Sequence, residues 1–469
     1  MGAISIFQIV KHIHALHRVR VKSTPEQIRA IQRENLERLI RHAVERAPFY
    51  RKLYDGIDLD RFGLEDLPPV TKRMLMENFN DAVTVDDLKI DEVAAFIDDP
   101  GKIGQLLKDR YIPAHTSGTT GIRGYFINNI QEWTFSQALA VVREGKVKVP
   151  PSVVILPLRP FWKFHFAVIT ATGGHFASYL LQKVTSSLRE RLARIWELSI
   201  LTPVDELIDV LNRIKPYGFL IYPSVLDELA QAQLEGRLRI KPTVIAMSGE
   251  PFTDQARRRT ERAFPKAILI ETYGTTECVA MAKECSEGFL HVNSDQVILE
   301  SVDEHGRAVP EGAEGDKVFL TNLYNYTQPL IRYEITDSVT YLPGTCACES
   351  SLPRVRVHGR TNDALRFADR AGRPVSILPI PFLLEMIRVE GVKQYQIVQR
   401  ARNALIVRYT PEPGFDRGRI EAGVREVYGG MFARNGLGDA VSMDFEVVSE
   451  LPRDPRSGKV KQVVTELDA

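Results

Sequence analysis

Residues 243–277 read TVIAMSGEPFTDQARRRTERAFPKAILIETYGTTE. Two short apolar runs, 243–247 and 267–273, lie on either side of a helix-like segment, 253–264, that is rich in charged residues. Short apolar strands joined by amphipathic helices are typical of parallel sheets with helical crossovers. The segment therefore predicts an α/β fold, and in such a sheet ligands bind beyond the carboxyl ends of the strands.

The same alternation extends toward the N-terminus. Strand-like and helix-like runs alternate there over residues 152–158, 206–214, 217–222 and 225–234. We therefore expect a large N-terminal domain with mostly parallel sheets and flanking helices. The loops after Tyr222, Met247 and Tyr273 are the places where we expect chemistry.

The two ends of the chain have different patterns. Near the start, Thr24, Pro25 and Gln27 predict a helix that opens with a hydroxyl cap, a first-turn proline and a capping-box glutamine. The tail has the pattern of a hairpin, a helix and a strand, over residues 392–398, 404–409, 419–428 and 441–448. This α+β pattern predicts a second, small domain, so we divide the chain into residues 1–361 and 362–469.

The composition is that of an ordinary globular protein. The chain has 469 residues, of which 44% are hydrophobic and 26% charged, and its formal net charge is +1. This balance argues against a protein that binds nucleic-acid backbones, because such proteins usually carry a marked basic excess. No apolar stretch approaches the roughly 18 residues of a membrane span, and no signal peptide is evident. The four cysteines are too few for a disulfide scaffold, so we expect a cytoplasmic protein.

Residues 116–124, TSGTTGIRG, combine three glycines with four hydroxyl residues. Glycines let backbone N–H groups turn toward an anion, and hydroxyls donate further hydrogen bonds. This composition suits a polyphosphate cradle, although no Gly-Lys-Ser/Thr follows as in a Walker A loop. Taken by itself, the segment is equally consistent with a flexible hairpin turn.

Two further segments directly follow predicted strands: 248–251 (SGEP) and 273–277 (YGTTE). A tyrosine beside a glycine offers a ring on which a flat base can stack. A carboxylate one turn away could hold Mg²⁺, which prefers oxygen ligands and substrate phosphates. Each segment, considered separately, is equally consistent with a surface turn.

Three more segments carry charged groups that suit nucleotide chemistry. Asp337 ends a segment at 332–337 (RYEITD), and an aspartate after a strand can accept both hydroxyls of a ribose. Residues 358–363 (HGRTND) lie at the junction with the tail domain. Residues 452–461 (PRDPRSGKVK) predict a loop in which Lys459 is a mobile positive charge, or else a solvated basic tail.

The order of these motifs resembles that of the adenylate-forming superfamily, which contains acyl-CoA synthetases, peptide-synthetase adenylation domains and luciferases. The closer likeness is to the phenylacetate–CoA ligase branch, over about residues 35–465. The features that carry it are PFYR at 48–51, PVTK at 69–72, YPS at 222–224 and PLIRY at 329–333. In that family a carboxylate attacks the α-phosphorus of ATP, and a thiol, usually coenzyme A, then takes the acyl group.

The resemblance implies an ATP site made of the matching residues. The β- and γ-phosphates would be held by Ser117, Gly118, Thr119, Thr120 and Gly121. The adenosine would be held by Tyr273, Gly274 and Thr275 and, as a second wall, by Ser248, Gly249 and Glu250. Asp337 and Arg360 would bind the ribose.

The resemblance also implies how the reaction would be catalysed. Glu277 would hold Mg²⁺, Lys459 would bridge the attacking carboxylate and the nucleotide, and Thr119 would act from the phosphate loop. The tail domain would swing about a hinge at Asp363 between the two half-reactions. The expected substrates are a small-molecule carboxylic acid, ATP and coenzyme A, with a carrier protein as another acceptor and a homodimer left open.

Aromatic residues at 161–166 (FWKFHF) suggest where the acid would bind. The segment follows the strand predicted at 152–158, so its rings could line an apolar site for an aromatic acid. The candidate pocket residues are Trp162, Phe164, His165, Tyr222 and Ser224. Ordinary core packing explains such an aromatic cluster equally well.

Two departures from the branch leave the acceptor open. Ile122 stands where many superfamily members have a lysine, with Arg123 beside it. Residues 367–379 are longer and differently spaced than the stretch that helps to form the thiol tunnel in the family. The alternatives to a thioester-forming ligase are an amine acceptor, transfer of AMP to a cofactor, and a non-catalytic nucleotide-binding homologue.

A separate set of residues suits a metal ion. Three thiols and one imidazole, the ligands of a tetrahedral structural zinc, are supplied by Cys285, His291, Cys346 and Cys348. The Cys-x-Cys spacing is tighter than in the commonest zinc knuckles, and Cys278 is a reserve ligand. The alternative is a set of four unrelated buried residues.

Overall fold

The structure, a computed structural model, describes residues 6–116, 123–142, 164–170, 175, 180, 193–200, 202–250, 252, 254–358, 365–377, 379–386, 388–452 and 462–467. The described helices are α1 (Ile6–Lys22), α2 (Pro25–Arg46), α3 (Pro48–Leu53), α4 (Lys72–Glu77), α5 (Phe79–Ala82), α6 (Ile90–Asp98), α7 (Ile130–Val141), α8 (Val204–Ile214), α9 (Pro223–Leu234), α10 (Asp254–Ala263), α11 (Pro379–Met386) and α12 (Arg417–Arg434). The described strands are β1 (Tyr111–His115), β2 (Tyr125–Asn129), β3 (Phe164–Thr170), β4 (Ala193–Ser199), β5 (Gly218–Ile221), β6 (Val244–Ser248), β7 (Ile268–Tyr273), β8 (Ala282–Glu284), β9 (Leu290–Val292), β10 (Val297–Val302), β11 (Lys317–Asn322), β12 (Tyr333–Ile335), β13 (Val339–Leu342), β14 (Arg354–Val357), β15 (Leu365–Ala368), β16 (Pro374–Ile377), β17 (Val392–Ala401), β18 (Ala404–Pro411), β19 (Ser442–Val447) and β20 (Val463–Thr465).

Nine of the described strands form one sheet, in the order β13-β14-β9-β8-β7-β6-β5-β3-β4. Strands β4, β3, β5, β6 and β7 are parallel, whereas β8, β9, β14 and β13 pair antiparallel with their neighbours. The α/β class and the strands predicted at 217–222, 243–247 and 267–273 are confirmed, and the strand predicted at 152–158 lies outside the described residues. The sheet is mixed rather than mostly parallel, because the short connection from β8 to β9 permits only antiparallel pairing.

Amphipathic helices make the parallel connections. The buried residues of α8 recur at helical spacing and are Leu207, Ile208, Leu211 and Ile214. They belong to one core with Ile245 and Met247 of β6, both fully buried. Burial of each such aliphatic side chain contributes about 1.5–3 kcal/mol. The helices therefore hold the parallel strands in register, and the carboxyl ends of these strands lie side by side.

The N-terminal helices pack against a second core that includes the antiparallel sheet β10-β11-β12. The predicted capping box of α2 is confirmed: Thr24 Oγ1 accepts a hydrogen bond from the Gln27 N–H, and the Gln27 side chain accepts one from the Thr24 N–H. Helix α1 was not predicted, because basic residues interrupt its apolar ones. Arg20 of α1 forms a buried ion pair with Asp295, at 2.8 Å. Removing one partner of such a pair typically costs about 3–5 kcal/mol.

The last part of the chain has a core of its own. The sheet β19-β18-β17-β20 packs with α11, α12 and the hairpin β15–β16, and among the described residues its buried cluster runs from Leu365 to Val463. The predicted hairpin, helix and strand of the tail are confirmed by β17, β18, α12 and β19. None of the described helices combines the length and apolar character that a membrane crossing requires.

Candidate active site

Three parallel strands end beside one another. In the register of the sheet, Ile221 of β5 lies opposite Met247 of β6, and Ser248 of β6 lies opposite Thr272 of β7. Tyr222 directly follows β5 and Tyr273 is the last residue of β7, and both rings are buried. The structure therefore brings Tyr222, Ser248 and Tyr273 to one edge of the sheet.

Gly249 provides the first close packing at this edge. Its φ angle is +91°, in the left-handed region that favours glycine. A Cβ atom at this position would lie 2.8 Å from Cε1 of Tyr222. The chain after β6 therefore turns directly over the Tyr222 ring, and Glu250 follows in this turn.

Gly274 provides the second close packing. A Cβ atom there would lie 2.2 Å from the carbonyl oxygen of Val279, so only glycine fits. The turn is closed by the Thr275 N–H, which donates to the Cys278 carbonyl at 2.9 Å. The Thr275 Oγ1 atom is buried without a hydrogen-bond partner among the described residues. Glu277, in the same turn, is 9% exposed.

A hydrogen bond joins the two sheets at this point. The Tyr273 hydroxyl donates to Oδ2 of Asp337 at 3.0 Å, and both residues are buried. Asp337 follows β12 of the smaller sheet, as the sequence predicts for a ribose ligand. The structure therefore brings Asp337 together with the ends of β6 and β7.

The proposed phosphate loop connects β1 to β2. Its residues Ser117, Gly118, Thr119, Thr120 and Gly121 lie outside the described residues. The two ends of the loop are described and paired. The Thr116 N–H donates to the Gly124 carbonyl, and the Gly124 N–H donates to Thr116 Oγ1, each at 3.0 Å. The hairpin thus holds the ends of the loop together.

Lys72 reaches the base of this loop. It begins α4, and its Nζ donates to Thr116 Oγ1 at 3.4 Å. The preceding Val70 is hydrogen-bonded on both sides to the segment that leads to Asp337: its N–H donates to the Arg332 carbonyl at 3.0 Å, and its carbonyl accepts from the Glu334 N–H at 2.9 Å. Lys72 was not among the predicted site residues, and its place in the PVTK motif is the signal that could have indicated it.

Other charges near the loop are already compensated. Arg123, which follows Ile122, donates to Oδ1 of Asp98 at 2.5 Å. His115, one residue before Thr116, is 3% exposed, and burial lowers its pKa to about 4. At neutral pH this imidazole is therefore uncharged and adds no positive charge beside the loop.

Several predicted site residues lie outside the part of the chain that the structure describes. They are Trp162, Arg360, Asp363 and Lys459, in addition to the five loop residues. Ser224 is placed near the start of α9, although its side chain is not described. The roles of these residues stay predictions.

Phe164 and His165 lie far from the strand ends. Phe164 and His165 are the first two residues of β3, and the strand predicted before them, at 152–158, lies outside the described residues. They therefore stand at the opposite edge of the parallel sheet from Tyr273. The Phe164 ring packs on Tyr217 with centroids 4.9 Å apart, and His165 Nδ1 lies 2.9 Å from the Ile214 carbonyl. The structure does not bring these two side chains together with the other candidate residues.

The four predicted metal ligands come together. The ligand atoms of the buried residues Cys285, His291, Cys346 and Cys348 all lie within 4.8 Å of one another. Cys285 Sγ is 3.8 Å from Cys346 Sγ, and Cys348 Sγ is 3.4 Å from Nε2 of His291. His291 Nδ1 donates to the Leu352 carbonyl at 2.7 Å, so Nε2 faces the thiols unprotonated.

The reserve ligand Cys278 is not part of this cluster. Its Sγ lies 3.4 Å from the hydroxyl of Tyr324. Burial raises the pKa of the Cys278 thiol to about 11, so this thiol is neutral at physiological pH.

Comparison with known proteins adds independent information. No protein-family model matches the chain. The phenylacetate–coenzyme A ligase of Thermus thermophilus is 26% identical over 403 residues, which cover 81% of this chain and 80% of that enzyme. That of Aromatoleum evansii is 26% identical over 363 residues, or 73% of each chain. The crystal structure of 2-hydroxyisobutyryl-CoA ligase with 2-HIB-AMP and CoA has a TM-score of 0.58 at 22% identity and covers 96% of this chain and 91% of that one.

Proposed function

We propose that this chain, a relative of the phenylacetate–CoA ligases as its motifs predicted, is an AMP-forming acid–thiol ligase. It activates a carboxylic acid with ATP and transfers the acyl group to coenzyme A. The observation that carries this proposal is the hydrogen-bonded pair of Tyr273 and Asp337, which lies near the ends of β7 and β12, beside the tight turns at Gly249 and Gly274.

The reaction proceeds in two steps, adenylation of the acid and transfer of the acyl group to the thiol. A carboxylate oxygen of the acid attacks the α-phosphorus of ATP, and the bond to pyrophosphate breaks. The thiol of coenzyme A then attacks the acyl carbon, loses its proton, and displaces AMP. The first step brings two anions together, so donors and positive charges must act most strongly in the transition state.

The strand ends supply the adenosine site. Adenine packs on Tyr273, with residues 248–250 as the opposite wall, and Asp337 accepts the ribose hydroxyls. Two observations support this assignment. Gly249 and Gly274 let the two walls pack closely against the Tyr222 ring and the Val279 carbonyl, and the buried Oγ1 of Thr275 has no hydrogen-bond partner among the described residues. A bound nucleotide would supply that partner.

The phosphates lie at the loop of residues 117–121. Backbone N–H groups and hydroxyls of this loop bind the β- and γ-phosphates, and Thr119 acts from within it. Lys72 contributes positive charge from the base of the loop, where its Nζ already meets Thr116. Glu277 holds Mg²⁺, because a carboxylate beside substrate phosphates is the ligand set that this ion prefers.

The C-terminal domain supplies the moving charge. Residues 362–469 form this domain, and the separate core of residues 365 to 463 supports the division. Lys459 bridges the carboxylate and the nucleotide during adenylation, Arg360 assists Asp337 at the ribose, and Asp363 is the hinge. Rotation about the hinge removes Lys459 so that the thiol can approach.

The Cys/His cluster holds a structural zinc ion. In a tetrahedral site with Zn–S bonds of about 2.3 Å, two thiolates are roughly 3.8 Å apart, and Cys285 and Cys346 have this separation, at 3.8 Å. All four ligand positions are filled by protein, which is typical of a structural ion. The ion would join the β8–β9 hairpin to the connection between β13 and β14 and takes no part in the chemistry.

The acid binds beside the adenosine site. Tyr222 is the best-placed candidate, because its ring lies beneath Gly249, and Ser224 is the second residue of the helix that follows it. Trp162 stays a further candidate from its sequence. An aromatic acid suits this group of rings, since aromatic rings prefer to pack against one another.

Acid-dependent exchange of labelled pyrophosphate into ATP tests the first step. A panel of aromatic and aliphatic acids is supplied one at a time, and we expect exchange with at least one acid and none without acid. Addition of coenzyme A and mass spectrometry of the product then test the second step. A thioester supports the proposal, whereas exchange without a thioester favours an amine, a carrier protein or another AMP acceptor.

A further inference from the structure

A partly buried arginine, Arg257, links the Cys/His cluster to the proposed nucleotide site. Glu284 directly precedes Cys285, and its side chain is 3% exposed. Its Oε1 accepts a hydrogen bond from Arg257 Nη1 at 2.9 Å, and its Oε2 accepts one from the backbone N–H of Glu271 at 2.7 Å. Arg257 lies on α10, the helix that follows residues 248–250. The strand that leads to Cys285 is therefore tied to both β7 and α10.

The same guanidinium holds the loop between β6 and α10. Arg257 Nη2 donates to Oε2 of Glu271 at 3.4 Å, and Oε1 of Glu271 accepts from the backbone N–H of Phe252 at 3.4 Å. The guanidinium also lies over the Phe252 ring, 4.8 Å from its centroid. Phe252 is three residues after Gly249, and Glu271 is two residues before Tyr273. Arg257 thus contacts one residue beside each wall of the proposed adenine site: Phe252, just after residues 248–250, and Glu271, just before Tyr273.

The chemistry of arginine explains why this residue suits the position. A planar guanidinium satisfies two carboxylates at fixed angles, which the point charge of a lysine does less well. Without it, the largely buried carboxylates of Glu271 and Glu284 would lose the guanidinium that they share. Their repulsion would displace the end of β7 relative to the loop.

We propose that Arg257 is a positioning residue of the ATP site, which sets the separation between Tyr273 and the wall at residues 248–250. This inference rests on the proposed function, because it requires adenine to bind between these walls. Arg257 touches neither substrate, so its removal weakens binding of the nucleotide while binding of the acid is preserved. Because Glu284 directly precedes Cys285, the Cys/His cluster fixes the carboxylate to which Arg257 donates.

The test compares Arg257→Ala and Arg257→Lys with Arg258→Ala, an exposed neighbour on the same helix. Acid-dependent pyrophosphate exchange gives KM for ATP and for the acid, and elemental analysis gives the zinc content. We expect Arg257→Ala to raise KM for ATP roughly 10- to 100-fold, the usual effect of losing a charged hydrogen bond. The KM for the acid should stay within about two-fold, Arg257→Lys should recover part of the loss, and Arg258→Ala should match the parent.

Equal rises in both KM values, or an unchanged KM for ATP in folded Arg257→Ala, would overturn the proposal. If Arg257→Ala does not fold, Glu271→Gln decides by the same criteria, because it keeps the side-chain shape and removes the charge. If none of the acids supports pyrophosphate exchange by the parent protein, the proposed function fails, and this failure is distinct from that of the proposal for Arg257. Calorimetric titration with MgATP then decides for Arg257: weaker binding by roughly tenfold or more supports its role, and equal binding contradicts it.

Discussion

The hydroxyl of Tyr273 donates a hydrogen bond to the Asp337 carboxylate at 3.0 Å. This bond joins the last residue of β7 to the segment that follows β12 of the smaller sheet. Both residues are buried. The tyrosine ring and the carboxylate are therefore held in one geometry before any ligand arrives, and such preorganisation lowers the cost of binding.

Loss of this hydrogen bond should weaken ATP binding. We expect Tyr273→Phe to raise KM for ATP roughly 3- to 10-fold, because one hydrogen bond is worth about 1 kcal/mol and the ring itself is retained. Tyr341→Phe is the control, since the hydroxyl of the partly buried Tyr341 donates to the Leu299 carbonyl at 2.7 Å. If both variants change KM for ATP equally, Tyr273 has no special role in the site.

Lys459 should matter for one half-reaction only. Lys459→Ala should slow adenylate formation roughly 10²–10³-fold, the usual effect of removing one preorganised donor from a charged transition state. Transfer to coenzyme A from a supplied acyl-adenylate should survive, because the lysine has moved away by then. The two rates are measured separately by quenched flow, and an equal fall in both would contradict the swinging-domain account.

Lys72 should act on the nucleotide phosphates. Its Nζ donates to Thr116 at the base of the phosphate loop, so Lys72→Met should lower kcat/KM for ATP by roughly 10- to 100-fold through loss of one charge-assisted contact. The neighbouring Arg73 is an exposed control, with a side chain that is 69% exposed. Steady-state kinetics with Arg73→Met should match the parent, and a Lys72→Met variant that also matches it would remove Lys72 from the site.

The Cys/His cluster should contain zinc with a structural effect. We expect about one zinc ion per chain, and Cys346→Ser should lose it and lower the melting temperature. Cys278→Ser is the control, because Cys278 is buried and free of the cluster. Elemental analysis and thermal unfolding measure both effects, and a freshly purified protein without zinc would contradict the assignment.

The stability of the protein should depend on pH through Glu228. Burial, and then the neighbouring Asp227, raise the pKa of this carboxyl from its ordinary value of 4.5 to about 7. The folded state therefore binds the proton more tightly than the unfolded state, so this group lowers stability progressively as the pH rises from 4.5 to 7. Glu228→Gln removes that loss.

Thermal unfolding at pH 5 and pH 8 measures this effect. We expect Glu228→Gln to raise the melting temperature at pH 8 by more than at pH 5. Glu206→Gln, an exposed residue of α8, should leave the pH dependence of the parent unchanged. A gain from Glu228→Gln that is the same at both pH values would show that Glu228 does not titrate in this window.

The parallel half of the sheet was predictable because its strands are apolar and its connecting helices are amphipathic. The antiparallel strands β8 and β9 were not, since each has three residues and β8 includes Lys283 and Glu284. The start of β3 at Phe164 was not predicted, because an aromatic run looks alike in a loop and at the beginning of a strand. Sequence shows polarity and spacing, and these elements depend on contacts with distant parts of the chain.

The candidate site, like the fold, has parts that local sequence predicts and parts that depend on contacts between distant segments. The position of Tyr273 and Gly274 at the end of a strand was predictable from local sequence, because an apolar run followed by a glycine indicates a strand and the turn after it. The four cluster residues were found from their chemistry, and the fold was needed to show that they meet. Lys72 was missed because it meets Thr116 across 44 positions of the chain, and Arg257 because three separate elements converge on it.

The most direct test of the proposed function is to trace a carboxylate oxygen of the acid into the products. The accepted acid is prepared with ¹⁸O in its carboxylate and is turned over with ATP and coenzyme A, and the products are weighed by mass spectrometry. Attack of the carboxylate on the α-phosphorus predicts one ¹⁸O atom in each AMP and none in pyrophosphate. Label in inorganic phosphate, or unlabelled AMP together with thioester, would contradict an acyl-adenylate intermediate and with it the function assigned to this chain.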